Sequence, residues 1–304
     1  MLTLKIWLAV VLSSALPFLS IAWLWKKKVK SKADWALTVS LAGALSLLAF
    51  VATPWAMTSY YLRYVLVALF TLAAFSSFRK IKAPDLQTPP AAAGRLAVAA
   101  RVIVLAALLT LDVAAVRTYF YPTPPVELAF PLSGGTYCVI QGGNSVLTNP
   151  FHRSGSGNQE EYADDIVKLN RAGNRAAGVY PQGLNSYAIY GETIYSPCAG
   201  EIIELVDGVP DNPIGDVGRH PSNHLVIRCK GVKVTLAHMT GGSFSVRDGQ
   251  VVREGQPLAR VGNAGHASEP HLHVDAVRDS GDVTEPVPIS FDGKVLSTNS
   301  VVIR

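Results

Sequence analysis

The feature that most constrains this chain is a run of four apolar segments in its first half, followed by a half of ordinary soluble composition. A helix of about 20 residues crosses the hydrocarbon core of a bilayer. Residues 4–25, 35–55, 61–78 and 96–120 each approach that length and carry few charges. The expected organisation is therefore an α-helical transmembrane anchor of four helices over residues 1–121 and a separate domain over residues 122–304. Residues 4–25 read as a retained span rather than a signal peptide. A signal peptide carries its basic residues before the apolar run, whereas here Lys26, Lys27, Lys28, Lys30 and Lys32 follow it. Trp and Tyr at the edges of the runs suit anchoring at the membrane interface.

Charge divides along the same line. Residues 1–121 hold 13 Lys and Arg against 3 acids, and the remainder holds 14 against 19. The basic excess belongs to the loops between apolar runs, which gives no support to nucleic-acid binding. Basic loops stay in the cytoplasm; they follow the first run (five Lys) and the third (Arg79, Lys80, Lys82, Arg95), while the loop after the second is short and uncharged. Four spans then place both the N-terminus and residues 122–304 outside. The expected location is the inner (cytoplasmic) membrane, with the C-terminal domain periplasmic and the lipid bilayer a partner. Residues 83–93, with three prolines, read as a flexible connection without activity. Asp112 and Arg63 lie within apolar runs and are expected to form an interhelical pair, since an unpaired carboxylate in lipid is costly.

Beyond Glu127 short apolar runs alternate with Gly, Pro, Asn and Asp: residues 137–141, 201–206, 224–229, 232–238, 256–261 and 271–277. This spacing predicts an all-β sandwich or barrel. Residues 160–169 form the one plausible short helix, which also reads as a strand. The turn at Gly255-Gln256-Pro257-Leu258 reads as structural. Cys198 and Cys229 lie near strand ends, either paired in an oxidising compartment or free and buried. With Cys138 they make three cysteines and no Cys-x-x-Cys, so a cysteine zinc site is not expected.

Polar residues gather at the ends of these strands. His152 follows Asn149-Pro150-Phe151, Asp165 ends Tyr162-Ala163-Asp164-Asp165, His238 follows Leu236-Ala237, and His271 and His273 stand two apart. In a strand, residues i and i+2 point to one face, so His271 and His273 converge on one site. A catalytic zinc takes three His or carboxylate ligands and keeps a fourth position for water. No His-Glu-x-x-His helix is present to supply a glutamate base.

These segments, together with Phe130-Pro131-Leu132, Gln141-Gly142-Gly143, Gly200-Glu201-Ile202, Asp248 to Gln256 and Gly262 to His273, resemble the lysostaphin and LytM-type zinc metallopeptidases over most of residues 128–280. The resemblance implies a lysostaphin-type antiparallel β domain, a duplicated hybrid motif. It implies one catalytic Zn2+ bound by His152, Asp165 and His273, with His238 and His271 as the catalytic pair. Twelve residues separate His152 from Asp165, where the family's commonest pattern has three. The resemblance prefers Asp165 to Asp164, since the family's longer insertions end in Ala-x-Asp, and alternation supports this by placing Ala163 and Asp165 on one strand face. His220, His224 and His266 fit no ligand position. Gly-rich loops at Gly241 and Gly265 are expected to flank the cleft, and residues 144–161 to cover it.

The expected function is a membrane-anchored zinc metalloendopeptidase hydrolysing peptidoglycan stem peptides or cross-links. Two alternatives are a module that binds the wall or activates another hydrolase without cutting, and a protease with a protein substrate. Retention of all five site residues argues against the first. A regulatory membrane partner is left open.

Overall fold

A computed structural model describes residues 2–29, 31–81, 92–153, 159–216, 221–281 and 283–304. It divides into two compact units, one of Leu8–Thr53 with Tyr61–Val116, the other of Met1–Trp7, Pro54–Tyr60 and Arg117–Arg304.

The helical unit is built on α1 (Leu2–Lys26), α2 (Lys32–Ala52), α3 (Leu62–Phe78) and α4 (Ala92–Val116). Two apolar stretches, Lys32–Ala52 and Gly94–Tyr119, are long enough to cross a membrane; Val10–Lys26 and Leu62–Phe78 are shorter. Along α4, Leu96, Ile103 and Val113 are exposed, as in a helix apolar on all sides. Ser31 caps α2 by accepting from the Asp34 backbone N–H. The Asp34 carboxylate binds Lys27 at 2.6 Å and Arg101 at 2.8 Å. α2 packs against both α3 and α4, and a Cβ on Gly43 would meet the Phe70 ring at 3.1 Å. That intermediate position of α2 explains one departure from expectation. Arg63 on α3 does not pair with Asp112 on α4; its guanidinium lies 3.9 Å over the Phe50 ring of α2, and both Asp112 oxygens lack a hydrogen-bond partner among the described residues. The connection at residues 83–93 lies mostly outside the described residues.

The second unit is a β domain. Its main sheet runs in the order β13 (Val301–Ile303), β2 (Thr136–Gln141), β3 (Asp164–Lys168), β10 (Leu272–Ser280), β7 (Val232–Ala237), β6 (His224–Cys229), β5 (Gly200–Val206), β8 (Val251–Val252), and β11 (Val283–Pro286) also pairs with β10. Every pairing in it is antiparallel. Two small sheets accompany it: β4 (Thr193–Tyr195) antiparallel to β9 (Pro257–Arg260), and β1 (Val126–Leu128) parallel to β12 (Ile289–Phe291). Alternation sorts the side chains. Tyr137, Val139, Ile166, Leu225, Ile227, Val234, Leu236, Leu272 and Val274 enter the main core with Ile194 and Leu258 of the small sheet. On the opposite face Cys138, Ile140, Val167 and Leu169 form a second cluster. Cys198 and Cys229 are joined in a disulfide, and Cys138 is free and buried.

One open reading is decided and one expectation needs correction. Residues 160–169 are not helical: β-branched Ile166 and Val167 sit in β3, paired on both sides by β2 and β10. The helix lies earlier, as α5 (Pro150–Arg153), opened by a proline, whose missing N–H costs nothing at a first helical position. Trp55, expected at a membrane edge, lies beyond the end of α2 and is fully buried in the β domain, where its backbone N–H donates to Asn299 Oδ1 at 3.1 Å. Ala56 packs onto the second cluster with Cys138 and Val167.

Candidate functional site

The site lies on the sheet face opposite the main core. On β10, Leu272, Val274 and Ala276 point into the core, which leaves His271, His273 and Asp275 on the other face. The register sets His273 directly between Asp165 on β3 and Ala237 on β7, and directly opposed residues on neighbouring strands have Cβ atoms about 5 Å apart. His238 follows Ala237 where β7 ends, and α5 brings in His152.

The structure brings all five sequence-predicted residues together, each buried. Asp165 sits at the centre: Oδ2 accepts from His152 Nε2 at 3.0 Å and Oδ1 from His273 Nδ1 at 3.1 Å. Potential ligand atoms of His152, Asp165 and His273 all lie within 4.8 Å of one another. Outer carboxylates hold the remaining nitrogens. Asp275 Oδ2 lies 3.1 Å from His273 Nε2, and Glu160 lies 3.6 Å from His152 Nδ1. Facing this trio, the His238 and His271 rings stand 4.6 Å apart between centroids. His238 Nδ1 donates to the Ala264 carbonyl and His271 Nδ1 to the Glu269 carbonyl, both at 2.8 Å. Each therefore keeps Nε2 for chemistry, and His271 Nε2 lies 3.6 Å from Asp165 Oδ1.

Electrostatics separate the two sets. Burial alone would lower the His152 pKa, but the Asp165 charge and hydrogen bonds to Asp165 and Glu160 outweigh it and push it up to about 9. His273 is raised well above the usual range for the same reason: hydrogen bonds to Asp165 and Asp275 overcome burial. Asp165 is held well below the ordinary carboxylate range, burial notwithstanding, by the charges of His152 and His271 and by its hydrogen bonds. His238 is driven well below 6.5 by burial and then by the neighbouring His271 and His273, so it is neutral at pH 7. Asp164, buried beside Asp165, is pushed up to about 8 by burial and the Asp165 charge. It points away from the trio, and a Cβ on Gly142 would meet its Oδ1 at 2.2 Å, which explains the glycine.

The donor set fits zinc: two imidazoles and one carboxylate, buried and converging, with each imidazole backed by an outer carboxylate as in carboxylate–histidine–zinc arrangements. Of the other histidines, His224 faces Glu204 at 3.2 Å, His266 is exposed, and His220 lies outside the described residues. Gly265 has φ +95° with Ser222 against it, and Ser222 Oγ lies 3.4 Å from His238 Nδ1. Gly241 approaches the Val209 carbonyl. The expected cover over residues 144–161 lies partly outside the described residues. Asp275, Glu160 and the buried Arg175–Glu269 pair had escaped the sequence reading. For Asp275 a signal existed, since His271, His273 and Asp275 continue one alternation; for Arg175 there was none.

Residues 180–286 match peptidase family M23, so the chain carries an M23 peptidase domain. The span contains His238, His271 and His273, while His152 and Asp165 precede it. Solved structures similar to the chain include a crystal structure assigned as a peptidase M23 from Pseudomonas aeruginosa, at 20% identity over 55% of this chain and 53% of that one, TM-score 0.28. A zinc containing peptidase from Vibrio cholerae is 23% identical over 41% of this chain and 45% of its own, TM-score 0.24. The catalytic domain of lysostaphin from Staphylococcus simulans is 20% identical over 35% of this chain and 80% of its own, TM-score 0.22. The chain thus spans about half the length of the Pseudomonas structure. A search of the curated proteins found no match.

Proposed function

We propose that this M23-domain chain is a zinc metalloendopeptidase held in the inner membrane by four helical spans, cutting peptide bonds of peptidoglycan on the periplasmic side. The observation that carries the reading is the convergence of the His152, Asp165 and His273 donors on one buried point, faced by the open Nε2 atoms of His238 and His271.

His152, Asp165 and His273 would hold the metal. When bound, zinc supplies a Lewis acid that polarises a carbonyl and lowers the pKa of water toward about 7. The chain's own part is proton traffic. Both catalytic imidazoles donate Nδ1–H to a backbone carbonyl, so in its neutral form each presents a lone pair at Nε2. Rings 4.6 Å apart do not both carry a charge at modest cost, so the pair takes up one further proton, at one Nε2, at a time. One imidazole takes the proton of the attacking water and hydrogen-bonds the developing oxyanion. That proton then passes to the departing amine as the C–N bond breaks, leaving a free amine and a carboxylic acid that ionises to solvent.

Placement outside the cytoplasm rests on two supports. Basic loops after the first and third apolar runs put the loop at 54–60 and the β domain on the outer side, and residues 54–60 belong to that domain. The Cys198–Cys229 disulfide suits an oxidising compartment. The test digests purified sacculi with the detergent-solubilised full chain and zinc, against His271→Ala. Loss of cross-linked muropeptides with new free amines, absent in the variant, is expected. A folded, zinc-loaded chain that releases nothing would favour a protein substrate or a non-cutting role.

A further inference from the structure

The Arg175–Glu269 pair stands outside the five-residue constellation, yet it adjoins one member. Both side chains are buried, 1% and 6% exposed, and meet in a fork, Nε to Oε1 at 2.5 Å and Nη2 to Oε2 at 2.7 Å. Buried ion pairs of this kind contribute little net stability relative to a packed apolar replacement, so stability alone is a weak account of it. From Glu269 the path to chemistry is one backbone group, the carbonyl that accepts His271 Nδ1–H and leaves Nε2 open. From Arg175 the path runs the other way. Its Nη1 donates to the Met57 carbonyl at 3.0 Å and its backbone N–H to the Ala56 carbonyl at 3.1 Å. The same segment is tied to the turn leading into Arg175, with Tyr60 N–H donating to Gly173 O at 2.8 Å and Ser59 Oγ to Ala172 O at 2.7 Å. Only a planar guanidinium, with five donors in a fixed fork, serves the carboxylate, the Met57 carbonyl and the Val179 carbonyl at 3.2 Å together.

We infer that Arg175 and Glu269 are positioning residues for His271, and that residues 54–60, the connection between α2 and α3, are the anchor against which they set it. The inference rests on His271 taking part in hydrolysis, as proposed above. A catalytic imidazole displaced by about 1 Å costs on the order of 100-fold in rate, so the connection between two apolar helices bears directly on turnover.

The test compares the full chain in detergent with Arg175→Met, Glu269→Met, Arg175→Lys and the double variant R175M/E269M. Cleavage of a soluble cross-linked muropeptide, bound zinc, melting temperature and amide exchange over residues 54–60 and 268–273 are measured. Each single methionine variant is expected to lose both stability and rate, because it leaves a buried charge unpaired. The double variant is expected to regain the melting temperature and to keep zinc and KM, while kcat stays down by about 10- to 100-fold. Arg175→Lys keeps the charge without the fork and falls between. Loss of Arg175 is expected to raise exchange in both segments together. Wild-type kcat in the double variant, or unchanged exchange over 54–60 without Arg175, would overturn the inference. Should the wild-type chain cleave no muropeptide, the proposed activity fails, and the exchange result still decides the coupling.

Discussion

His238 adopts a left-handed backbone, φ 69°, which a non-glycine residue takes up only where its surroundings compel it, at a cost of order 1–3 kcal/mol. Here the compulsion is visible: the His238 carbonyl accepts from Gly262 N–H at 2.9 Å while its ring is held by Ala264. Asn tolerates this conformation better than most residues. His238→Asn is therefore expected to retain zinc and its melting temperature while losing about 100- to 1,000-fold in rate; a fall of about 10 °C would instead mark His238 as structural. A second prediction concerns His152 and Asp164 in the zinc-free chain. His152 titrates at about 9 against an ordinary 6.5, so its stabilisation is complete below pH 6.5 and is lost as pH rises through about 9. Asp164, at about 8 against 3.8, is tolerated in its neutral form and acts in the same direction. Chelated protein should melt at lower temperature at pH 9 than at pH 6.5, and zinc, which takes the protons' place, should bind more tightly across that range. A melting temperature that rises with pH in chelator would contradict the carboxylate–imidazole pairing.

At the level of elements, what the sequence revealed and what it hid have separate causes. β6 was legible residue for residue because His224 to Cys229 alternates core and surface between clear turn signals. The convergence of His271 and His273 followed from period two alone. β3 was ambiguous because its apolar residues are few and carboxylates precede them, and only pairing on both sides decides for a strand. The segment at 54–60 was hidden for a different reason. Apolar, uncharged and between two spans, it looks like a bare membrane turn, and Trp55 like an interfacial anchor. The indole is fully buried and the Trp55 backbone N–H donates to Asn299, far along the chain, and no local pattern encodes such a contact. Trp55→Ala is expected to cost about 3–5 kcal/mol, read as a lower melting temperature with loss of protease resistance in residues 117–304. Unfolding confined to the helices would show that the tryptophan belongs to them.

For the molecule as a whole, the decisive constraint is connectivity. A segment that joins α2 to α3 is also part of the β domain, so whichever side of a bilayer holds one must hold the other. Positive-inside bias, through the five lysines between residues 26 and 32 and the basic residues from 79 to 95, says which side that is. Two crossings, α3 and α4, return the chain to the side of residues 54–60, and the charges decide that this side is the outer one. Single cysteines placed at Ser59, Gln250, Lys28 and Gln87 in a chain lacking Cys138 separate the possibilities in intact cells. Ser59 and Gln250 are expected to react with a membrane-impermeant maleimide from outside, and Lys28 and Gln87 only after lysis. Labelling of Gln250 from outside with Ser59 protected until lysis would break the link between the connection and the β domain, and the positioning of His271 would fall with it. External labelling of Lys28 together with Gln250 would instead mean an even number of crossings between them, removing one of α2, α3 and α4 as a span, and with it the four-helix anchor.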